Sequence, residues 1–261
     1  MTILQAVMLG VLQGLAEFLP ISSSGHLALA QRLLPGFSQP GVTFDVALHL
    51  GTAVSVLAME FDRIVEALRG GYAPRLAAQL AAATLATAAV ALPLRHTAEA
   101  AFTQPLLVGC GLAASGMLLL LLPRNRAGRE ARDTAWRDVL FVGLVQGVAV
   151  MPGLSRSGST IVAGAAAGME RRWAADFSFL LSVPAVLGAA VVEGLEYRHA
   201  VAVSPGFLLH AGVGFVAAAV SGMGAIALVR RFLRAGQLRW FAAYLLPLAT
   251  VVMVTALLGW W

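Results

Sequence analysis

The stretch that decides the fold runs from Gln13 to His26 and reads QGLAEFLPISSSGH. A second stretch, from Gln146 to Thr160, reads QGVAVMPGLSRSGST and aligns with the first at a fixed offset of 133 residues. Six positions are identical at this offset: Gln13/Gln146, Gly14/Gly147, Ala16/Ala149, Ser22/Ser155, Ser24/Ser157 and Gly25/Gly158. An internal repeat indicates that one structural unit occurs twice. We therefore predict two related halves, each interrupted by polar residues at the same place.

The composition is that of a membrane protein. Hydrophobic residues make up 59% of the chain and charged residues 12%, and the mean hydropathy is +0.82. A soluble domain carries about a quarter charged residues, and several apolar runs here reach the ~20 residues that cross a bilayer. The net charge is +5, and all 18 basic residues are arginine. In a membrane protein such a balance reports membrane topology rather than nucleic-acid binding. We predict an all-α polytopic membrane protein with no nucleic-acid partner.

The apolar segments predict five helices in each half. Two form a pair broken by proline and hydroxyl residues, at 2–19 with 21–34 and at 139–151 with 155–168. Three longer segments follow each pair: 43–60, 75–93 and 104–122, then 174–193, 206–229 and 240–260. The charged segment 123–138 is predicted as a linker within one integral membrane domain, between repeat 1 (about 1–122) and repeat 2 (about 139–261). Charges such as Arg63 and Arg171 are expected in interfacial loops.

The distribution of arginine chooses between two topologies. If the first helix of each broken pair spans the membrane, there are eight crossings, and the arginines outside the motifs divide nine to eight between the two faces. If each pair is a re-entrant hairpin, there are six crossings, and the division is 14 to 3, the three being Arg32, Arg95 and Arg198. Membrane insertion imposes such an asymmetry, so we predict two hairpins. Three crossings per half make the repeat inverted, with both termini outside.

The hairpin tips have the chemistry of an anion site. Ser22, Ser23, Ser24, Ser155 and Ser157 are N-cap candidates at the starts of two short helices. A helix start offers free N–H groups and a positive dipole end, which suit phosphate. Arg156 adds a fork of donors matched to phosphate oxygens. Inverted repeats place their interrupted helices together near the membrane midplane, so we expect one shared polar site.

Glu17 and His26 are the reactive candidates of the first tip. A carboxylate at membrane depth is costly and marks a functional site by default. Glu17 could activate a serine or water, hold a cation, or pair with Arg156, and His26 could be nucleophile, general base or general acid. Each residue taken alone has a structural alternative as a cap or packing residue. Asp45 and His49, four residues apart at the start of a span, are expected to line the cavity.

These residues resemble the undecaprenyl-diphosphate phosphatases, also called bacitracin-resistance proteins. Gln13-Gly-Leu-Ala-Glu17 is similar to the first signature of that family, in which many members have glutamate where this chain has Gln13. The second signature, Pro-Gly-x-Ser-Arg-Ser-x-x-Thr, matches Pro152 through Thr160 at every fixed position. The resemblance extends through Phe44–Thr52 and Phe177–Ala185, and the hydropathy pattern agrees over nearly the whole chain.

The resemblance implies hydrolysis of undecaprenyl diphosphate to undecaprenyl phosphate and inorganic phosphate, which recycles the carrier lipid for cell-wall synthesis and confers bacitracin resistance. It implies a bacterial cytoplasmic membrane, a site open to the outer face, and stimulation by a divalent cation, Mg²⁺ or Ca²⁺, of unknown ligands. The resemblance is compatible with a homodimer. Glu17, His26 and Arg156 correspond to the essential residues of the family. The residues assigned to the phosphate groups are Gln13, Ser22, Ser23, Ser24, Ser155, Ser157 and Thr160.

Two questions stay open at the level of the sequence. We favour Ser23 as the attacking hydroxyl, with His26 and Glu17 handling its proton, but direct attack by His26 or by water is also compatible with the motifs. The main alternative function is a lipid-phosphate flippase or transporter, because inverted repeats with broken helices are typical of transporters. A flippase needs a head-group site but no nucleophile.

Overall fold

The computed structural model of the chain describes residues 1–34, 42–123, 128–196 and 205–260. Within these ranges the chain forms helices joined by short turns. They are α1 (Ile3–Phe18), α2 (Ser23–Leu33), α3 (Val42–Met59), α4 (Phe61–Arg69), α5 (Ala73–Phe102), α6 (Pro105–Leu120), α7 (Trp136–Val148), α8 (Arg156–Ala167), α9 (Arg171–Glu196), α10 (Pro205–Ala235) and α11 (Trp240–Leu257), with one 3-10 turn at Ala131–Asp133. The all-α prediction is confirmed.

The helix lengths fit a multi-pass membrane protein. α5, α9, α10 and α11 are long and apolar enough to cross a membrane, and α3 with α4, bent by 52° between them, forms a fifth candidate. The remaining predicted span, 104–122, corresponds to α6, which has only 16 residues. The helices of the broken pairs are short: α2, α7 and α8 have 11, 13 and 12 residues. None of these three reaches the ~20 residues that a crossing requires.

Several predicted boundaries differ from the observed ones. α5 continues to Phe102 through Pro93, because membrane helices tolerate proline where neighbouring groups satisfy the freed backbone. α7 begins at Trp136, inside the predicted linker. The prediction of a loop at Arg63 is wrong, since this residue lies on α4, and Arg171 is buried as the first residue of α9. Three arginines used in the topology argument, Arg124, Arg126 and Arg198, lie outside the described residues.

Glycines bring the first helix of each broken pair against a long helix of the other half. Gly14 of α1 lies against α10, where an added methyl group would press on Ser221. Gly147 of α7 lies against α5, where the methyl carbon would be 2.6 Å from the Cβ of Val90. Four residues earlier, Gly10 and Gly143 contact the same two long helices. Such small-residue spacing lets helix backbones approach closely in a membrane, and here it does so twice, at positions related by the repeat.

We expect Gly14→Ala to destabilise the protein by about 1–3 kcal/mol, because the added methyl group overpacks the contact between α1 and α10. The matched control is Gly224→Ala on α10, where an added Cβ meets nothing within 4 Å and alanine is the better helix former. Thermal unfolding in detergent measures both variants. An unfolding temperature of Gly14→Ala at or above that of Gly224→Ala would contradict this packing.

Four charged side chains meet at the end of α3 and tie α4 to α9 and α10. Arg230 Nη2 lies 2.5 Å from Glu60 Oε1 and 3.1 Å from Asp176 Oδ1. Arg63 forms an ion pair with Asp176 and stacks 5.5 Å from the ring centroid of Trp173. The Glu60 and Asp176 side chains are fully buried. Buried carboxylates are stable only when they are paired in this way, so the cluster fixes the bend between α3 and α4.

Candidate active site

The site is built from the two hairpin tips, residues 19–22 and residues 149–155. Each tip ends in a serine that caps the short helix after it. The Ser22 hydroxyl accepts a hydrogen bond from the backbone N–H of Gly25 (3.2 Å), and the Ser155 hydroxyl accepts one from that of Gly158 (3.1 Å). These are the preferred N-cap interactions. Ser22 has a φ of +72°, a conformation that costs free energy in a residue other than glycine.

The two tips contact each other reciprocally. A methyl group on Gly158 would lie 3.1 Å from the Cβ of Pro20, and one on Gly25 would lie 3.3 Å from the Cα of Gly153. Gly25 is the repeat partner of Gly158, and Pro20 is that of Gly153. Each tip helix therefore packs on the turn of the other tip. Such an exchange of contacts is the mark of a two-fold interface.

The carboxylate of Glu17 joins the two tips at the centre of the site. Its Oε2 accepts a hydrogen bond from the Ser23 hydroxyl (2.6 Å) and another from the Gln13 amide (2.9 Å). Its Oε1 lies 2.6 Å from Nη2 of Arg156. Ser23 and Arg156 are repeat partners and begin α2 and α8. Because Glu17 is only 7% exposed, the guanidinium and the two donors are what make its charge tolerable at this depth.

A cavity of about 370 Å³ opens beside this carboxylate. Its polar wall includes Glu17, Ser23, Ser24, His49 and Arg156. A second cavity of about 340 Å³ lies between α5 and α9. The two share the wall residues Thr87, Ala91, Phe102, Val150, Ala185 and Ala189. The cavity with the polar wall thus continues into a mainly apolar groove, and this combination suits an amphipathic ligand.

Most of the predicted phosphate-binding hydroxyls lie behind the cavity wall. Ser22, Ser155, Ser157 and Thr160 are at most 2% exposed. The serines at 22 and 155 are caps, the Ser157 hydroxyl donates to the Leu19 carbonyl (3.2 Å), and that of Thr160 donates to the Arg156 carbonyl (2.8 Å). Gln13 is also fully buried. Of the hydroxyls assigned to phosphate, the structure places those of Ser23 and Ser24 at the cavity.

The structure does not bring His26 to the Glu17–Arg156 pair. Its Nδ1 lies 2.8 Å from the carbonyl oxygen of Ser22 and its Nε2 lies 2.7 Å from the hydroxyl of Tyr244. The two rings also stack, with centroids 5.7 Å apart. His26 is not among the residues that line the cavity. Its catalytic role stays a prediction from the family resemblance, and Tyr244 is a partner that sequence reasoning missed.

His49 lines the cavity, as predicted, whereas Asp45 does not. Asp45 instead accepts a hydrogen bond from Gln31 (3.4 Å). The imidazole of His49 lies on α3, outside both signatures, with its Nδ1 at 2.9 Å from Gln13 Nε2 and 3.7 Å from Glu17 Oε2. The signals for it in the sequence are its place near the start of an apolar span and its position within Phe44–Thr52, where the family resemblance continues.

The described residues do not fit a cation held by the protein alone. Residues 1–34, 42–123, 128–196 and 205–260 contain no group of three or more His, Cys, Asp or Glu side chains arranged for a metal ion. Glu17 is already paired with Arg156. We therefore assign no ligands to the expected Mg²⁺ or Ca²⁺.

Fold and site together define a polytopic helical membrane protein with a polar pocket built from two interrupted helical pairs. Comparison with known proteins identifies its family. The family model described as "Bacitracin resistance protein BacA" matches residues 6–251, and the chain belongs to this family. The resemblance found from the two motifs is thereby confirmed.

Three relatives illustrate the similarity, and each is named undecaprenyl-diphosphatase. The protein from Carboxydothermus hydrogenoformans is 38% identical, over 98% of this chain and 98% of its own. That from Moorella thermoacetica is 39% identical over 97% of both chains. That from Syntrophotalea carbinolica is 42% identical, over 94% of this chain and 95% of its own.

Proposed function

We propose that the protein hydrolyses undecaprenyl diphosphate to undecaprenyl phosphate and inorganic phosphate, and so recycles the lipid carrier of cell-wall synthesis. The observation that carries this proposal is the Glu17 carboxylate, which lies 2.6 Å from both the Ser23 hydroxyl and the Arg156 guanidinium. A base, a nucleophile and a cation for phosphate are thus in direct contact. The name shared by the relatives gives independent support.

The shape of the cavity supports a lipid diphosphate as the substrate. The diphosphate would lie at the starts of α2 and α8, where free N–H groups and the Arg156 guanidinium favour an anion. The prenyl chain would follow the apolar groove between α5 and α9, along residues such as Ala91 and Ala189. The groove would hold the prenyl chain away from the aqueous side of the site, so that no separate binding domain is required.

The same contacts give a reaction path. The Ser23 hydroxyl attacks the terminal phosphorus, its proton passes to Glu17 Oε2, and the P–O bond to the bridging oxygen breaks, releasing undecaprenyl phosphate. Water then attacks the phosphoserine, the P–O bond to Ser23 breaks, and Glu17 returns its proton to the Ser23 oxygen. The released phosphate keeps the oxygen and both hydrogens of the water. While Glu17 is protonated, Arg156 loses its anionic partner, so its charge is available to the transferring phosphoryl group.

We further infer that the two halves form an inverted repeat in a bacterial cytoplasmic membrane, with the site open to the outer face and both termini outside. The reciprocal contacts of the tips support a two-fold relation, and the arginine asymmetry supports the orientation. Stimulation by a divalent cation and a homodimer also stay predictions.

Phosphate release in detergent tests the proposed function. Purified protein, which has no membrane sidedness, should release inorganic phosphate from undecaprenyl diphosphate, and Glu17→Ala should abolish this release because Ser23 loses its base. Binding of the lipid by the wild-type protein without any phosphate release would support the flippase instead and overturn the proposal.

A further inference from the structure

The amide of Gln13 bridges Glu17 and His49. Gln13 Nε2 lies 2.9 Å from Glu17 Oε2 and 2.9 Å from His49 Nδ1. An amide nitrogen has two hydrogens and no acceptor, so both contacts use it as the donor. His49 Nδ1 lies 3.7 Å from Glu17 Oε2, too far for a direct hydrogen bond.

The charge of Glu17 fixes which way the Gln13 amide faces. The two ends of an amide are distinguished by their partners. A reversed amide would set its carbonyl oxygen against Glu17 Oε2, which already accepts from Ser23, and two acceptors would then repel each other. Pairing with Arg156 at 2.6 Å keeps this carboxylate ionised. The amide therefore donates to both neighbours, and His49 Nδ1 must be an acceptor.

We infer that Gln13 holds His49 in the tautomer with its hydrogen on Nε2, and that this N–H binds a phosphate oxygen of the substrate. When Nδ1 of a neutral imidazole accepts a hydrogen bond, Nε2 carries the hydrogen. The His49 side chain is 36% exposed and lines the cavity. Its Nε2 makes no hydrogen bond within the described part of the chain. The ring thus has an unused donor, and His49 and Arg156 line the same cavity.

This inference rests on the proposed function and adds to it a substrate-binding residue outside both signatures. It also gives a role to the glutamine at position 13, which must be a donor to both of its neighbours. A carboxylate at this position would accept from His49, which would move the imidazole hydrogen to Nδ1 and leave Nε2 as an acceptor that repels phosphate.

Two measurements test the inference. In ¹⁵N NMR of the full-length protein in detergent, with the His49 signals assigned through His49→Gln, we expect hydrogen on Nε2 in the wild type and on Nδ1 in Gln13→Glu. In the phosphate-release assay, His49→Ala should lower kcat/KM about 10- to 100-fold, the value of one hydrogen bond to a charged group. His49→Gln should keep most of the activity, since its amide also donates. His96→Ala, whose side chain is 88% exposed, is the control.

The outcomes distinguish a failure of this inference from a failure of the proposed function. Hydrogen on Nδ1 of His49 in the wild type, or full activity of His49→Ala, would overturn the inference while leaving the phosphatase proposal intact. Absence of phosphate release by the wild type would overturn the proposed function, and the NMR spectrum would still report the tautomer.

Discussion

Replacing Arg156 with alanine is expected to lower kcat/KM for phosphate release by about 10³-fold or more. Two effects add in this variant. The transition state loses the cation that stabilises the transferring phosphoryl group, which is worth about 10²- to 10⁵-fold in comparable sites. The free enzyme also loses the partner that lies 2.6 Å from Glu17, so a buried carboxylate is left uncompensated. Arg156→Lys should recover part of the rate, because lysine keeps the charge but lacks the planar fork.

Initial rates of phosphate release measure this effect, and Arg172→Ala is the matched control. Arg172 is an exposed arginine in the first turn of α9 and lies outside the cavity wall, so its loss should change the rate by less than about threefold. Thermal unfolding in detergent establishes whether each variant is folded. A folded Arg156→Ala with a rate within tenfold of the wild type would remove Arg156 from the proposed reaction path.

Replacing Ser23 with alanine is expected to lower kcat by at least about 10³-fold, the usual scale for loss of a nucleophile. Ser24 is the matched control, because it also lines the cavity. The Ser24 hydroxyl lies 3.3 Å from that of Ser22, whereas the Ser23 hydroxyl contacts Glu17, the base. Ser24→Ala should therefore lose no more than about 10- to 100-fold, the value of one hydrogen bond to a charged group.

Mass spectrometry of rapidly quenched protein identifies the residue that carries the phosphoryl group. We expect phosphate on Ser23 in the wild type and none in Ser23→Ala. Phosphate on His26 would contradict the assignment and favour the imidazole as the nucleophile. Full activity of Ser23→Ala without a covalent intermediate would favour direct attack by water.

The central site was largely predictable because its residues lie within two short motifs that the repeat relates. The fixed offset pairs Ser23 with Arg156, and the local chemistry of serine, glycine and proline specifies two helix starts. The structure brings both residues to one carboxylate, Glu17. Fewer of the predicted serines lie at the cavity than the motifs suggest, since Ser23 and Ser24 line it and the others are buried. A hydroxyl that caps its own helix, as those of Ser22 and Ser155 do, is turned away from the cavity.

The features that sequence reasoning missed depend on residues far apart in the chain. Arg230 meets Glu60 across 170 positions, and His26 meets Tyr244 across 218. No periodicity or spacing links such pairs. In the sequence, a charged residue near the end of an apolar segment gives the same pattern whether it faces water or a buried partner. For this reason the sequence predicts a loop at Arg63.

A cysteine cross-link between the tips tests the central claim, that the two broken pairs meet to form one site. The variant combines Pro20→Cys and Gly158→Cys in a Cys110→Ser background, since Cys110 is the single native cysteine. A Cβ at position 158 would lie 3.1 Å from that of Pro20, and slight relaxation would bring the pair to the ~3.8 Å typical of disulfides. A protease site inserted at 124–127 separates the halves.

After oxidation and proteolysis, the two fragments should stay joined on a non-reducing gel and separate on reduction. The control pair, Pro20→Cys with Gly224→Cys, should separate without reduction. Fragments of the Pro20–Gly158 variant that separate without reduction, in protein that still releases phosphate before oxidation, would contradict the shared site.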